Sequence, residues 1–114
     1  MTRGVIGVGL LICLFASGAA AQGDGAAMAT AVRYHEAARA FEICGGKPLT
    51  GAEHDRLAVL IAQATQRRLT VGESLSVVKE ARFNMEQRIQ ASSCKDPLVA
   101  DALRWFEQIR PQLR

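Results

Sequence analysis

The sequence lacks a strong net charge of either sign. After its first 21 residues, its content of apolar residues is ordinary for a soluble domain. Its 14 Lys and Arg against 11 Asp and Glu give a net charge of +3, which is too weak to indicate binding to nucleic acid or to anionic lipid. At 114 residues the chain is too short for a multidomain enzyme or a nucleotide-binding fold of the usual size. These absences leave room for one small domain with one core.

The sequence also lacks the common catalytic and metal-binding patterns. Neither His35 nor His54 has the spacing of a zinc site, and no serine lies in a G-x-S-x-G setting. Each histidine is followed directly by a carboxylate, Glu36 or Asp55, and adjacent residues on a helix point about 100° apart, so such a pair cannot share one site. We interpret both pairs as solvated. We predict a protein that is not an enzyme and that has no cofactor and no bound metal.

The first 21 residues have the three parts of a secretory signal peptide. Arg3 precedes an apolar run over residues 5–15, and small residues follow it up to Ala21, where Ala19-x-Ala21 fits the rule for cleavage. The run of about 11 residues is shorter than the roughly 20 that a membrane helix needs. We predict cleavage between Ala21 and Gln22, no stable membrane anchor afterwards, and a periplasmic or secreted location. A retained anchor is the alternative.

Cleavage would remove Cys13 and leave two cysteines, Cys44 and Cys94. Cys13 follows Ile12 rather than Gly or Ala, which does not favour a lipid-modified cysteine. In an exported chain the remaining two predict one disulfide. It closes a loop of about 50 residues, for which the chain-entropy model gives roughly 4 kcal/mol of stabilisation. The alternative is a pair of metal or redox thiols, although no C-x-x-C is present.

The remaining chain has helical periodicity only. Apolar residues at three- and four-residue steps predict helices over about 26–43, 51–68, 71–91 and 97–110. We expect Gly45-Gly46 to end the first helix with one left-handed glycine. The starts of the others are predicted by capping boxes and an Asp-Pro pair, namely Thr50 with Glu53, Thr70 with Glu73, and Asp96-Pro97.

This pattern predicts an all-α fold, a small four-helix bundle that has an Ala-rich first helix and one disulfide. We divide the chain into a signal peptide over residues 1–21, a flexible lead-in over 22–27 and a single α-helical domain over 28–114. On the third helix we expect a buried face of Val71, Leu75, Val78, Met85 and Ile89. On the fourth, we expect Leu98, Ala102, Trp105, Phe106 and Ile109 to point inward.

Four apolar residues fall outside these predicted faces and form a candidate partner surface: Val59, Val77, Phe83 and Leu103. Either the bundle covers them, or they form an exposed strip that receives a protein partner or a second copy of the chain.

Arg82 breaks the apolar pattern of the third helix. One interpretation is a contact for an anionic ligand or partner. The other is a side chain whose stem lies over apolar neighbours while its guanidinium pairs with Glu86, one turn away.

The layout, with a signal peptide, a mature chain of about 90 residues, two cysteines and the late Trp105, resembles the acid-stress chaperones of the bacterial periplasm. That resemblance implies a holdase that releases apolar surface when acid protonates its carboxylates. Our first prediction is instead a small exported, non-enzymatic binding or accessory module for another protein of the cell envelope. A holdase is the alternative. A small enzyme, which would gather His35 or His54 with carboxylates in a pocket, is a further one.

Overall fold

The computed structural model describes residues 25–114 of the chain. The predicted signal peptide, its cleavage site and Cys13 lie outside the described residues, as does the first half of the predicted lead-in. The prediction of a flexible lead-in over residues 22–27 is wrong for residues 25–27, which are already helical.

The described part contains four α-helices, one short 3-10 helix and no strand. It therefore has the predicted all-α, bundle-like architecture. We label the elements α1 (residues 25–45), α2 (Gly51–Ala64), α3 (Val71–Ala91) and α4 (Pro97–Ile109), with the 3-10 helix over Arg110–Leu113.

The three predicted helix starts are confirmed. The Thr50 hydroxyl accepts a hydrogen bond from the Glu53 N–H at 3.1 Å, and the Thr50 N–H donates to Glu53 Oε1 at 2.9 Å. Thr70 and Glu73 repeat the same pair of bonds at the same distances. Asp96 accepts from two N–H groups of the first turn of α4. Each start therefore satisfies backbone donors that the helix itself leaves unpaired.

The helix ends agree with the prediction for α1 and differ from it for α2. Gly46 follows α1 with φ 68°, which is the expected left-handed glycine. Helix α2 ends at Ala64, so Arg67 and Arg68 lie beyond its last turn instead of within it. The reason is a Schellman turn, in which the N–H of Gln66 donates to Gln63 and that of Arg67 to Ala62.

Helix α1 lies at the centre of the core. Five of its seven alanines are buried, namely Ala27, Ala31, Ala37, Ala38 and Ala40, and their small side chains let the neighbouring helices approach closely. The main cluster of buried residues is Ala31, Ala37, Ala38, Leu49, Leu57, Ile61, Val77, Phe106, Ile109 and Leu113. A second, smaller cluster is Ala40, Met85 and Val99. Since α1 contributes to both clusters, it connects α2, α3 and α4.

Two covalent or aromatic contacts join α1 to the C-terminal part of the chain. The sulfur atoms of Cys44 and Cys94 lie at disulfide distance, with Cα atoms 5.9 Å apart, as the sequence predicts. The rings of Tyr34 and Trp105 pack edge to face with centroids 4.7 Å apart, and the Arg33 guanidinium lies 4.3 Å from the Trp105 centroid.

The predicted buried face of α3 is partly wrong. The residues of α3 that are buried are Val77, Ala81 and Met85, whereas Val71 and Leu75 are 79% and 62% exposed. The prediction weighed large side chains and passed over Ala81, although α3 packs closely on the Ala-rich α1. On α4 the prediction of Leu98 as an inward residue is also wrong, because Leu98 is exposed and the adjacent Val99 is buried.

Of the four residues of the candidate partner surface, two are exposed and two are not. Val77 is 1% exposed and belongs to the main core, and Leu103 is half-buried against the second cluster. Both are therefore unsuited to receive a partner. Val59 and Phe83 are 51% and 59% exposed, as the outward interpretation expects.

Candidate functional site

Among the described residues, Glu42 is the one buried charged side chain, with 8% of the residue exposed. It lies in the last turns of α1, close to the turn that leads into α2. Its Oε2 atom accepts a hydrogen bond from the Leu49 N–H at 2.9 Å, so the carboxylate holds the returning chain against α1. A charge in this position is costly unless it is paired.

Three cationic or ionisable side chains surround the Glu42 carboxylate. Arg39 lies 3.4 Å from Oε1 and Arg82 of α3 lies 3.7 Å from the same atom. The His54 Nε2 atom, in the first turn of α2, lies 3.6 Å from Oε2. The carboxylate thus connects three helices, and we call this group the Glu42 cluster.

Arg82 has a different partner from the one considered in the sequence. Glu86 is bound by Arg39, whose Nε and terminal nitrogen both lie 2.8 Å from Oε1 of Glu86. The Arg82 guanidinium faces Glu42 instead, and its side chain is 40% exposed. Arg82 is therefore both an ion-pair partner of a buried carboxylate and reachable from solvent.

A cavity of about 330 Å³ lies between α1, α2 and the first half of α3. We call it the His35 cavity, after the imidazole in its wall. Its lining residues are Ala31, His35, Ala58, Ile61, Ala62, Thr65, Arg67, Leu69, Ser74 and Val78. Burial lowers the pKa of His35, and the nearby charges of Arg82 and His54 lower it further. The imidazole is therefore neutral at neutral pH.

The polar groups at the His35 cavity differ in whether they already have a hydrogen-bond partner. The Thr65 hydroxyl already donates to the Ile61 carbonyl at 2.8 Å. Arg67 follows α2 in a left-handed conformation, with φ 55°, and it is an exposed residue at the lining of the cavity. No carboxylate is among the lining residues. The two histidines thus lie near each other but have different contacts, since His54 contacts Glu42 and His35 lines this cavity.

The outward side of α3 carries an open groove of about 650 Å³. Its lining residues are Val78, Lys79, Glu80, Arg82, Phe83 and Glu86. We call Val71, Leu75 and Phe83, which are all more than half exposed, the α3 outer face. Of the residues predicted as a partner surface, only Phe83 belongs to it; Val71 and Leu75 were predicted as core.

Within residues 25–114, no group of three or more His, Cys, Asp or Glu is arranged to hold a metal ion. No helix in the same range has both the length and the apolar character that a membrane crossing requires. Comparison with protein-family models, with curated protein sequences and with solved structures found no match.

Proposed function

We propose that this chain is a small exported protein that serves as a binding or accessory module for another protein of the cell envelope. The observation that supports the proposal most is the α3 outer face, where Val71, Leu75 and Phe83 are 79%, 62% and 59% exposed. Covering large apolar side chains with a partner lowers the free energy by about 25 cal/mol per Å² of apolar surface removed from water. Three of them on one helix favour a contact surface.

The charges beside this face suit a protein partner. Lys79, Glu80, Arg82 and Glu86 line the groove that contains Phe83. An apolar centre with polar and charged groups at its edge is typical of protein–protein interfaces. Export is supported by the signal-like residues 1–21 and by the paired cysteines, because disulfides persist in oxidising compartments.

The proposal predicts that Leu75→Asp combined with Phe83→Asp abolishes partner binding, because each carboxylate would have to be buried at the interface. The measurement is crosslinking and co-purification of the tagged protein from envelope extracts, with analytical ultracentrifugation of the purified protein to detect a homodimer. We expect the wild-type protein to retain one defined partner.

The matched control is Leu98→Asp, which changes a leucine of similar exposure, 58%, on α4. This variant should retain the partner. Retention of the partner by the α3 double variant, or a wild-type protein that is strictly monomeric and retains no partner, would contradict the proposal. A homodimer lost in the double variant would assign the same face to self-association.

A second candidate function is a holdase that acid switches on, and the Glu42 cluster favours it. The buried Glu42 carboxylate faces Arg39 of α1, Arg82 of α3 and His54 of α2. Loss of its negative charge in acid would leave the Arg39 and Arg82 guanidiniums facing one another without the carboxylate between them, which loosens the contacts that Glu42 makes.

This candidate predicts protection of an aggregating client at about pH 2–3 but not at about pH 7. The variant Glu42→Gln, which carries no charge at either pH, should begin to protect at a higher pH than the wild type. Glu107→Gln is the control, because Glu107 is exposed on α4 and pairs only with Arg110 among the described residues. Failure of the wild-type protein at both pH values would remove this candidate.

A further inference from the structure

The His35 cavity has other lining residues than the Glu42 cluster and the α3 outer face, although Val78 also lines the α3 groove and Arg82 and His54 lie near His35. None of its lining residues takes part in the Glu42 cluster, and it contains none of Val71, Leu75 and Phe83. Its volume of about 330 Å³ falls in the range of small-molecule sites, roughly 300–1,000 Å³. At about 30 Å³ for a group the size of a water molecule, it accommodates on the order of ten non-hydrogen atoms.

The lining has the composition of a site for an amphipathic anion. Most of the wall is aliphatic, with Ile61, Leu69 and Val78 and three alanines. Arg67 supplies a permanent positive charge, and among the described residues no carboxylate lies within 4.0 Å of it. The neutral imidazole of His35 supplies one further N–H donor. An aliphatic chain would contact the wall while an anionic group binds the two donors.

The backbone beside Arg67 provides an independent reason to expect a ligand. Gln66 and Arg67 both have φ 55°, two successive residues other than glycine in the left-handed region. The Schellman turn requires this conformation at Gln66 but not at Arg67. Such strain is concentrated at ligand-binding sites, where it holds a side chain in position before the ligand arrives. Here it fixes the backbone from which the side chain of Arg67, one of the lining residues, extends.

We propose that the His35 cavity binds a small aliphatic carboxylate, with its hydrocarbon chain against Ile61, Leu69 and Val78. The carboxylate accepts hydrogen bonds from the Arg67 guanidinium and from the His35 imidazole. Charge-assisted bonds of this kind are stronger than neutral ones, and guanidinium can bind both carboxylate oxygens. This goes beyond the proposed function, because the ligand site and the α3 outer face use different residues.

The test is isothermal titration calorimetry of the purified protein with octanoate, 1-octanol and acetate. Octanoate should bind, acetate should give no saturable heat because it lacks the chain, and octanol should bind more weakly than octanoate. Arg67→Gln should weaken octanoate on the order of tenfold, as expected for the loss of a charged hydrogen-bond partner, and leave octanol unchanged. The neighbouring Arg68→Gln is the control and should change neither.

A second pair of variants tests the place of binding. Ala58→Leu, at an exposed position of the cavity wall, should fill the cavity and weaken octanoate and octanol alike. Ala52→Leu, exposed on the same helix and outside the lining, should weaken neither. If Ala58→Leu unfolds more readily than the wild type, Ala62→Val provides the same test with one fewer carbon.

Three results would overturn the assignment. These are no saturable octanoate binding, equal effects of Arg67→Gln on octanoate and octanol, or unchanged octanoate binding in Ala58→Leu. The α3 double variant, Leu75→Asp with Phe83→Asp, should bind octanoate as the wild type does. Failure of the partner proposal is therefore distinguishable from failure of this one.

Discussion

At the scale of single residues, Glu42 combines burial with the largest number of polar contacts in the described part. Sequence periodicity does not identify it. It is one polar residue beside an apolar stripe, and its partners Leu49, His54 and Arg82 come from three later segments. Only the packing of α2 and α3 against α1 brings them together. Arg82 breaks the apolar pattern of α3, but spacing on that helix alone does not identify Glu42 as its partner.

The shifted pKa of His35 makes the stability of the fold depend on pH. Its pKa lies below the ordinary value of 6.5, because burial disfavours the imidazolium and because Arg82 and His54 face it. Below about pH 6.5 the unfolded chain therefore takes up a proton more readily than the folded one. The free energy of unfolding should fall as the pH decreases, until the pH passes the lower pKa of the folded state.

The measurement is urea unfolding of the wild type and of His35→Gln between about pH 7.5 and pH 5. The wild type should lose more stability over this interval than the variant, which has no imidazole to titrate at this position. Parallel losses in the two proteins, or a larger loss in the variant, would contradict the assigned direction of the pKa shift.

At the scale of helices, local signals predicted the starts better than the faces. Thr50, Thr70 and Asp96 form their predicted caps because a cap depends only on residues within one turn. A buried face depends on the neighbouring helix. Because α1 presents alanines, α3 buries Ala81 between Val77 and Met85, while the larger Leu75 remains outside. A pattern search that weights apolar size alone cannot find such a face.

Around the Schellman turn after α2, substitution by glycine should change the free energy of unfolding in opposite directions at two positions three residues apart. Gln66→Gly should raise the free energy of unfolding by about 1 kcal/mol, because glycine adopts the left-handed conformation without the cost that a side chain adds. Gln63→Gly, at an exposed position in the last turn of α2, should lower it by up to about 1 kcal/mol. Chemical denaturation of both variants checks this, and destabilisation by Gln66→Gly would contradict the strain at that position.

At the scale of the whole molecule, the number of helices, their order and the Cys44–Cys94 pairing follow from the sequence. The position of α1 at the centre does not. From its sequence, an Ala-rich helix is expected to bury little apolar area per residue. Its small side chains nevertheless allow three other helices to pack closely around it. The His35 cavity could not be predicted from the sequence either, since its wall combines residues of α1, α2, α3 and the turn between α2 and α3.

The cysteine pair predicts the largest single change in stability. Cys44→Ala combined with Cys94→Ala should lower the free energy of unfolding by about 4 kcal/mol, because the closed loop of 50 residues limits the unfolded chain. Thermal unfolding of the variant, and of the wild type with and without a reductant, measures the effect. A reductant that leaves the wild-type transition unchanged would contradict it, and the double variant should show no response to the reductant.

The pairing of Cys44 with Cys94 also makes residues 44–94 a covalent ring that contains both α2 and α3. A protease that cuts the turn between these helices, around Gln66 and Arg67, would leave the two halves of the oxidised protein attached to each other. The molecule would then consist of two chains, one with α1 and α2 and the other with α3 and α4, joined by a single bond between sulfur atoms. Because the disulfide closes this ring, the backbone can be cut at the strained turn of Gln66 and Arg67 and the two halves stay covalently attached.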